Sequence, residues 1–257
     1  MDQYLTFAKD LAYKAGDIML EHFKPGVGRE VKSDDTPVTV ADTTINKLVI
    51  DSVAEVFPEH SVLGEEESSS AADTEYIWVC DPIDGTIPYT IGIPTNLFSL
   101  ALVHNGISVL GVLYDPYSKR MYEAVKSRGA LLNGETIHVS NELTPQGYIS
   151  LPGMQYGLTN TAELVRDAIT SGMRSFSLCC ITYESALIAN GQIVGAIFPG
   201  KTPWDIAAVK IIVEEAGGMV TDLYGNEQRY DKPITGAVVS NGHMHARLVD
   251  LAKRHIA

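Results

Sequence analysis

The chain has 257 residues, 45% of them hydrophobic and 20% charged, an ordinary globular composition long enough for one large domain or two tightly joined halves. Its formal net charge of -13 argues against wrapping nucleic acid, whose phosphates need Lys and Arg, and against an anionic membrane surface. The same acidity hints at bound metal, since a divalent cation reverses the local sign, although surface carboxylates also simply solvate a protein.

Three cysteines, Cys80, Cys179 and Cys180, are too few and too odd in number for a disulfide framework. They read as core residues in a reduced, cytoplasmic setting. The N-terminus lacks the pattern of a secretory signal, and no run approaches roughly 18 apolar residues.

In chain order, the apolar spacing over 4–23 predicts an amphipathic helix, stopped by Pro25, Gly26 and Gly28. The turn-rich segment VKSDDTPVTVAD follows, and a second helix is predicted from Asp42 as N-cap to Pro58. SVLG (61–64) reads as a short strand, EEESSSAADTE as a polar loop, and YIWVCD (76–81) as a buried strand entering a Pro-Ile-Asp-Gly turn. Apolar segments at 97–103, 107–114 and 120–125 are punctuated by Asn105-Gly106 and Asp115-Pro116. Asn-Gly between apolar runs predicts a hairpin there and at Asn133-Gly134. The first half is therefore two helices and a mainly antiparallel sheet.

The second half alternates. Strands are predicted at YISLP (148–152), SFSLC, QIVGAIF and AVVSNG. Helices are predicted at 160–171, ITYESALIANG, 203–216 and 243–254, the third opened by Pro203 and closed by Gly217-Gly218. This alternation predicts a layered α/β architecture, with a boundary near 140–147 separating halves 1–142 and 143–257.

Chemistry concentrates at three places. In Asp81-Pro82-Ile83-Asp84-Gly85-Thr86 an apolar strand delivers two carboxylates to its end. Gly85 lets a ligand approach the backbone, and Thr86 adds a hydroxyl. Taken alone this is also a common polar β-turn. Gly64-Glu65-Glu66-Glu67 ends another strand, so Glu65 can meet Asp81 across neighbouring strand ends; alone, it is a solvated loop. Asp205 of Pro203-Trp204-Asp205 opens a helix, where a carboxylate also suits the helix dipole. Glu65, Asp81, Asp84 and Asp205 together are the all-oxygen donor set that Mg²⁺ takes. The seven histidines read as surface residues with no zinc-like spacing, and no nucleophile elbow or Walker loop is present.

The chain resembles the inositol monophosphatase-like, lithium-sensitive phosphatases over nearly its whole length. The resemblance rests on DDTPVTVAD (34–42), GEE (64–66), DPIDGT (81–86), PWD (203–205) and EEAGG (214–218), in that order. It implies a layered αβαβα sandwich of the sugar-phosphatase type, α+β in its first half and α/β in its second. It also implies a site loaded with two or three Mg²⁺ ions, and dimerisation by fold-level analogy. By the same resemblance Glu65 binds metal and positions the attacking water, Asp81 and Asp84 bridge metals, and Ile83 offers its carbonyl. Gly85 and Thr86 give amides to the phosphate, the Thr86 hydroxyl activates water oriented by Asp42, and Asp205 completes a second metal site. The implied reaction is in-line hydrolysis of a small phosphate ester by a metal-activated water, without a covalent phosphoenzyme.

Two departures bear on the substrate. Inositol-hydrolysing members of the family carry a glutamate seven residues before the PWD aspartate, where this chain has Phe198, which cannot accept hydrogen bonds from a polyol. Lys201, beside it, suits a second anionic group. After DPIDGT the chain has Ile87-Pro88-Tyr89 in place of the usual Thr/Lys-Asn/Ser-Phe. A sugar or polyol phosphate leads the candidates, with histidinol phosphate, fructose bisphosphate and nucleoside 3',5'-bisphosphate behind it. A non-catalytic ligand-binding relative is the reading of a different class.

Overall fold

The computed structural model describes residues 1–24, 26, 28, 30–31, 37–72, 74–143, 147–152 and 161–256. The first three residues of DDTPVTVAD, together with Pro25, position 160 and part of the 140–147 boundary, lie outside these described residues.

Helix α1 (Asp2–His22) and helix α2 (Val40–Val56) flank a two-stranded ribbon, β1 (Glu30–Val31) and β2 (Pro37–Val38). The cap of α2 is Thr39, three residues before the expected Asp42. Asp42 is instead the third residue of a reciprocal capping box. Next come β3 (Ser61–Gly64), β4 (Tyr76–Asp84), a short helix α3 (Thr86–Ile91), β5 (Leu97–His104) and β6 (Ile107–Asp115). β7 (Arg120–Val125), β8 (Ala130–Leu132) and β9 (Glu135–Ile137) complete one seven-stranded sheet in sequential order. Only its β3–β4 pair is parallel. Both Asn-Gly turns have positive φ at both residues (52° and 86°; 52° and 85°), as the tight hairpin turn requires.

The second sheet, ordered β11-β10-β12-β14-β13, uses β10 (Tyr148–Ser150), β11 (Arg174–Phe176), β12 (Gly195–Phe198), β13 (Met219–Thr221) and β14 (Ala237–Ser240). Helices α4 (Thr161–Thr170), α5 (Ile181–Ala189), α6 (Ala207–Glu215) and α7 (His245–His255) intervene. The helix expected from Pro203 begins as a turn. The Pro203 carbonyl takes the Ala207 N–H at 2.8 Å, and regular helix follows from Ala207.

Strand alternation sorts the apolar residues into three clusters that fill the four interfaces of an αβαβα sandwich, the central cluster lying on both sides of α5 and α6. Trp78, Cys80, Leu100 and Leu102 face α1 and α2. Val79, Ala101 and Val103 face α5 and α6, as do Ala196, Phe198 and Val239 from the second sheet. Ile149, Ile197 and Val238 face α4 and α7. α6 sits close to the first sheet because a stripe of small residues, Ala101, Gly111, Ala124 and Ala130, runs across four paired strands. A Cβ on Gly111 would fall 2.9 Å from the Ala208 carbonyl and 2.6 Å from Ile211.

Not every expectation of burial holds. Cys179 is exposed, while Cys80 and Cys180 are buried. His60 and His245 are buried rather than on the surface. His245 bridges the hydroxyls of Thr221 and Ser240, 2.8 Å from each, and burial pushes its pKa down to about 4. Among the described residues, no helix is long and apolar enough to cross a membrane.

Since the obstacle at Gly111 is helix backbone, Gly111→Val is expected to lower stability by about 1–3 kcal/mol in urea denaturation, the usual cost of overpacking.

Candidate active site

β4 carries the first two carboxylates. A regular strand would send residues three apart to opposite faces. Here Asp81 pairs with Ser99 and Asp84 with Leu97, so three steps on β4 match two on β5. This bulge re-aims Asp84 toward Asp81. Beyond it Gly85 turns the chain at φ +86°, where a Cβ would lie 2.9 Å from the Thr95 carbonyl. Thr86 then opens α3, its hydroxyl donating to the Ile83 carbonyl at 3.1 Å.

Other layers bring the remaining groups. The Ser99 hydroxyl donates to the Trp204 carbonyl at 3.4 Å, tying the PWD turn to the strand beside Asp81. The Thr202 hydroxyl holds Asp205. The result is a cluster in which ligand oxygens of Asp81, Asp84 and Asp205 all lie within 4.8 Å of one another. Asp84 Oδ2 takes the Thr182 N–H of α5 at 2.6 Å, with Cys180 Sγ 3.3 Å away. The parallel β3–β4 pairing sets Glu65 beside the cluster, its N–H on the Cys80 carbonyl at 3.2 Å. A side chain at Gly64 would strike Asn46 Oδ1 at 2.3 Å, and Asn46 in turn donates to the Glu67 carbonyl at 3.0 Å.

Asp42 is 1% exposed. One of its oxygens takes the Thr39 N–H at 2.8 Å and the Thr39 hydroxyl at 2.5 Å; the other has no hydrogen-bond partner among the described residues. Burial raises its pKa to about 7 against the Thr39 bonds, with Glu65 and Glu66 adding to the rise. Burial also holds Asp81 far above the carboxylate range, and each charge that acts on it (Glu65, Asp84, Asp205 and Asp42) raises it further. Asp84 and Asp205 are raised by burial as well. A dry all-oxygen pocket with this much negative charge is what a hard divalent cation completes.

The other expected site residues lie elsewhere. Phe198 faces the central core at 3% exposure, packed against Gly200, because β12 alternation turns it inward. Lys201 is exposed on the loop leading to Asp205, its carbonyl bonded to the Ile234 N–H at 2.9 Å. The EEAGG segment is structural. Glu215 takes the N–H groups of Ser127 and Gly129, each at 2.7 Å, and Glu214 takes the Lys210 ammonium at 2.7 Å. Sequence reading missed Thr39, Ser99, Cys180, Thr182 and Thr202. Only Thr39 carried a local signal, the T-x-x-D capping pattern.

A bulged strand, a glycine turn and three converging carboxylates are what a phosphomonoester hydrolase of the sandwich type with a cation-binding site would use. The whole chain, residues 1–257, matches the model of the inositol monophosphatase family. A Thermotoga maritima IMPase structure superposes with a TM-score of 0.89 at 30% identity, covering 99% of this chain and 98% of that one. A histidinol-phosphatase of Chlorobaculum parvum is 32% identical, over 95% of each chain. A putative Nus factor SuhB of Neisseria meningitidis serogroup B is 30% identical over the full length of both. The chain belongs to the inositol monophosphatase family.

Folding raises the pKa values of Asp42 and Glu184 to about 7. Protons on such groups support the folded state below the unfolded values, and that support is lost as pH rises through the folded ones. The metal-free protein is therefore expected to melt at progressively lower temperature from about pH 4 to pH 7. Adding Mg²⁺ is expected to raise the melting temperature more at pH 8 than at pH 5, as read by scanning fluorimetry.

Proposed function

We propose that the protein hydrolyses a small phosphomonoester, a sugar or polyol phosphate first, using two or three Mg²⁺ ions. The observation that carries this reading is the convergence of Asp81, Asp84 and Asp205 from two strand positions and a helix-leading turn. These carboxylates, with Glu65 and the Ile83 carbonyl, would hold the metal. Bound there, Mg²⁺ supplies the positive charge that offsets phosphate and makes a water acidic enough to attack.

The chain's own groups do the rest. The backbone N–H groups of Gly85 and Thr86, at the left-handed turn that follows β4, would take the phosphate. The free oxygen of Asp42 is a buried acceptor poised near neutral pH, suited to receive a proton relayed through the Thr86 hydroxyl. Thr39 holds the other Asp42 oxygen and keeps the free one oriented. Glu65 orients the attacking water. Inverting phosphorus in line needs this positioning more than any covalent chemistry.

Lys201, exposed on the loop that ends at Asp205, would meet a second anionic group of the substrate. Phe198, inside the core, leaves the position of the family's polyol-contacting glutamate without an acceptor, which weakens inositol among the polyol phosphates. The halves 1–142 and 143–257 would meet at this site. Three free thiols support a reduced, cytoplasmic setting, and the reading includes a homodimer with no nucleic-acid or membrane partner.

Asp84→Asn is expected to lower phosphate release by roughly 10³-fold or more at saturating Mg²⁺, with the fold and its melting transition retained. Near-normal release in that variant would defeat the assignment. In a panel of inositol, sugar, histidinol and nucleoside phosphates with their bisphosphates, Lys201→Ala is expected to slow bisphosphates about tenfold and leave monophosphates unchanged.

A further inference from the structure

Glu184 is a carboxylate on α5, 5% exposed, that none of the chemistry above uses. Its Oε1 takes the backbone N–H of Leu178 at 2.6 Å, and the Cys179 N–H and the Ser150 side chain of β10 also face it. One buried carboxylate thus gathers the loop before α5, the first turn of α5 and the end of β10.

That loop is under strain and lies next to the metal ligands. Cys179 has φ +57°, a left-handed conformation that is unfavourable for a non-glycine residue. The Ser177 hydroxyl takes the Cys179 N–H at 3.3 Å. Cys180 caps α5, its sulfur accepting the Tyr183 N–H at 3.4 Å. Two residues on, the Thr182 N–H reaches Asp84 Oδ2 at 2.6 Å. The turn of helix that aims Asp84 is the same turn that Glu184 ties down.

We propose that Glu184 is a positioning residue: by clamping 178–180 against the first turn of α5, it keeps the Thr182 N–H directed at Asp84. The effect on turnover rests on the phosphatase reading, whereas the clamp itself rests on the hydrogen bonds alone.

The test compares wild type, Glu184→Ala and Glu184→Gln, first without metal. Amide hydrogen exchange at Leu178 and Thr182 is expected to be about tenfold faster in the alanine variant, with β5 amides unchanged. Glutamine keeps an acceptor oxygen and is expected to restore most of the protection. Calorimetric titration with Mg²⁺ is expected to show affinity about tenfold weaker in the alanine variant and within twofold of wild type in the glutamine variant. In turnover, kcat is expected to fall with KM little changed. Wild-type exchange at Leu178 and Thr182 in Glu184→Ala, or a uniform acceleration along the whole chain, overturns the proposal. If the alanine variant does not fold, Glu184→Asp, one methylene short of Leu178, is read by the same criteria. Should wild type release phosphate from no ester, the phosphatase reading fails, while exchange and Mg²⁺ titration still decide this one.

Discussion

The structure depends on holding three carboxylates, two buried and one half-buried, close together against their own repulsion. Ligand oxygens of Asp81, Asp84 and Asp205 lie within 4.8 Å of one another, in a pocket where burial alone would favour their neutral forms. Charges placed this way cost stability unless something compensates them. The protein accepts that cost at one spot and supports it from the first sheet, the middle helical layer and the loop that leads into α6. Negative charge concentrated in a dry, shaped pocket is also what gives a cation a reason to bind there.

Each carboxylate is held by a different device. The β4 bulge re-aims Asp84. The Thr182 N–H, from the middle helical layer, fixes the Asp84 carboxylate. Ser99 lies opposite Asp81 in the sheet and also holds the carbonyl next to Asp205. That turn leads into α6, and α6 docks where Ala101, Gly111, Ala124 and Ala130 leave room for a helix backbone. A packing feature on the far side of the sheet from α1 therefore helps set the distance between metal-binding oxygens. The spacing of the cluster is a property of the sandwich as a whole.

Family membership and site chemistry agree, but they constrain different things. The full-length match and the 0.89 superposition define the architecture and the class of reaction. Relatives at about 30% identity carry names as different as histidinol-phosphatase and Nus factor. Fold and family set the scaffold, and the side chains around a site decide which substrate it takes.

Much of this was legible in the linear chain. The alternation of YIWVCD, the two Asn-Gly turns and the apolar helical stripes are local patterns, and local sterics and burial decide them. The strand-end position of Glu65 followed from the same patterns, whereas Asp81, expected to end its strand at 81, lies inside β4, which runs on to Asp84 because that residue still pairs with β5. The chain alone could not reveal the bulge that aims Asp84, because a bulge is a mismatch between two strands and exists only once β5 is paired. Nor could it reveal Thr182 as a partner of Asp84 or Ser99 as the tie to Trp204, since a backbone N–H looks alike at every residue and acquires a role only from what packs against it. Phe198 shows the limit most plainly: counted along the chain it stands where a substrate contact was expected, but β12 alternation turns its ring into the core. The sequence by itself determined which residues could carry charge to the ends of strands and helices. The tertiary structure alone decided which of those ends meet, because the distance between them is set by how five layers pack.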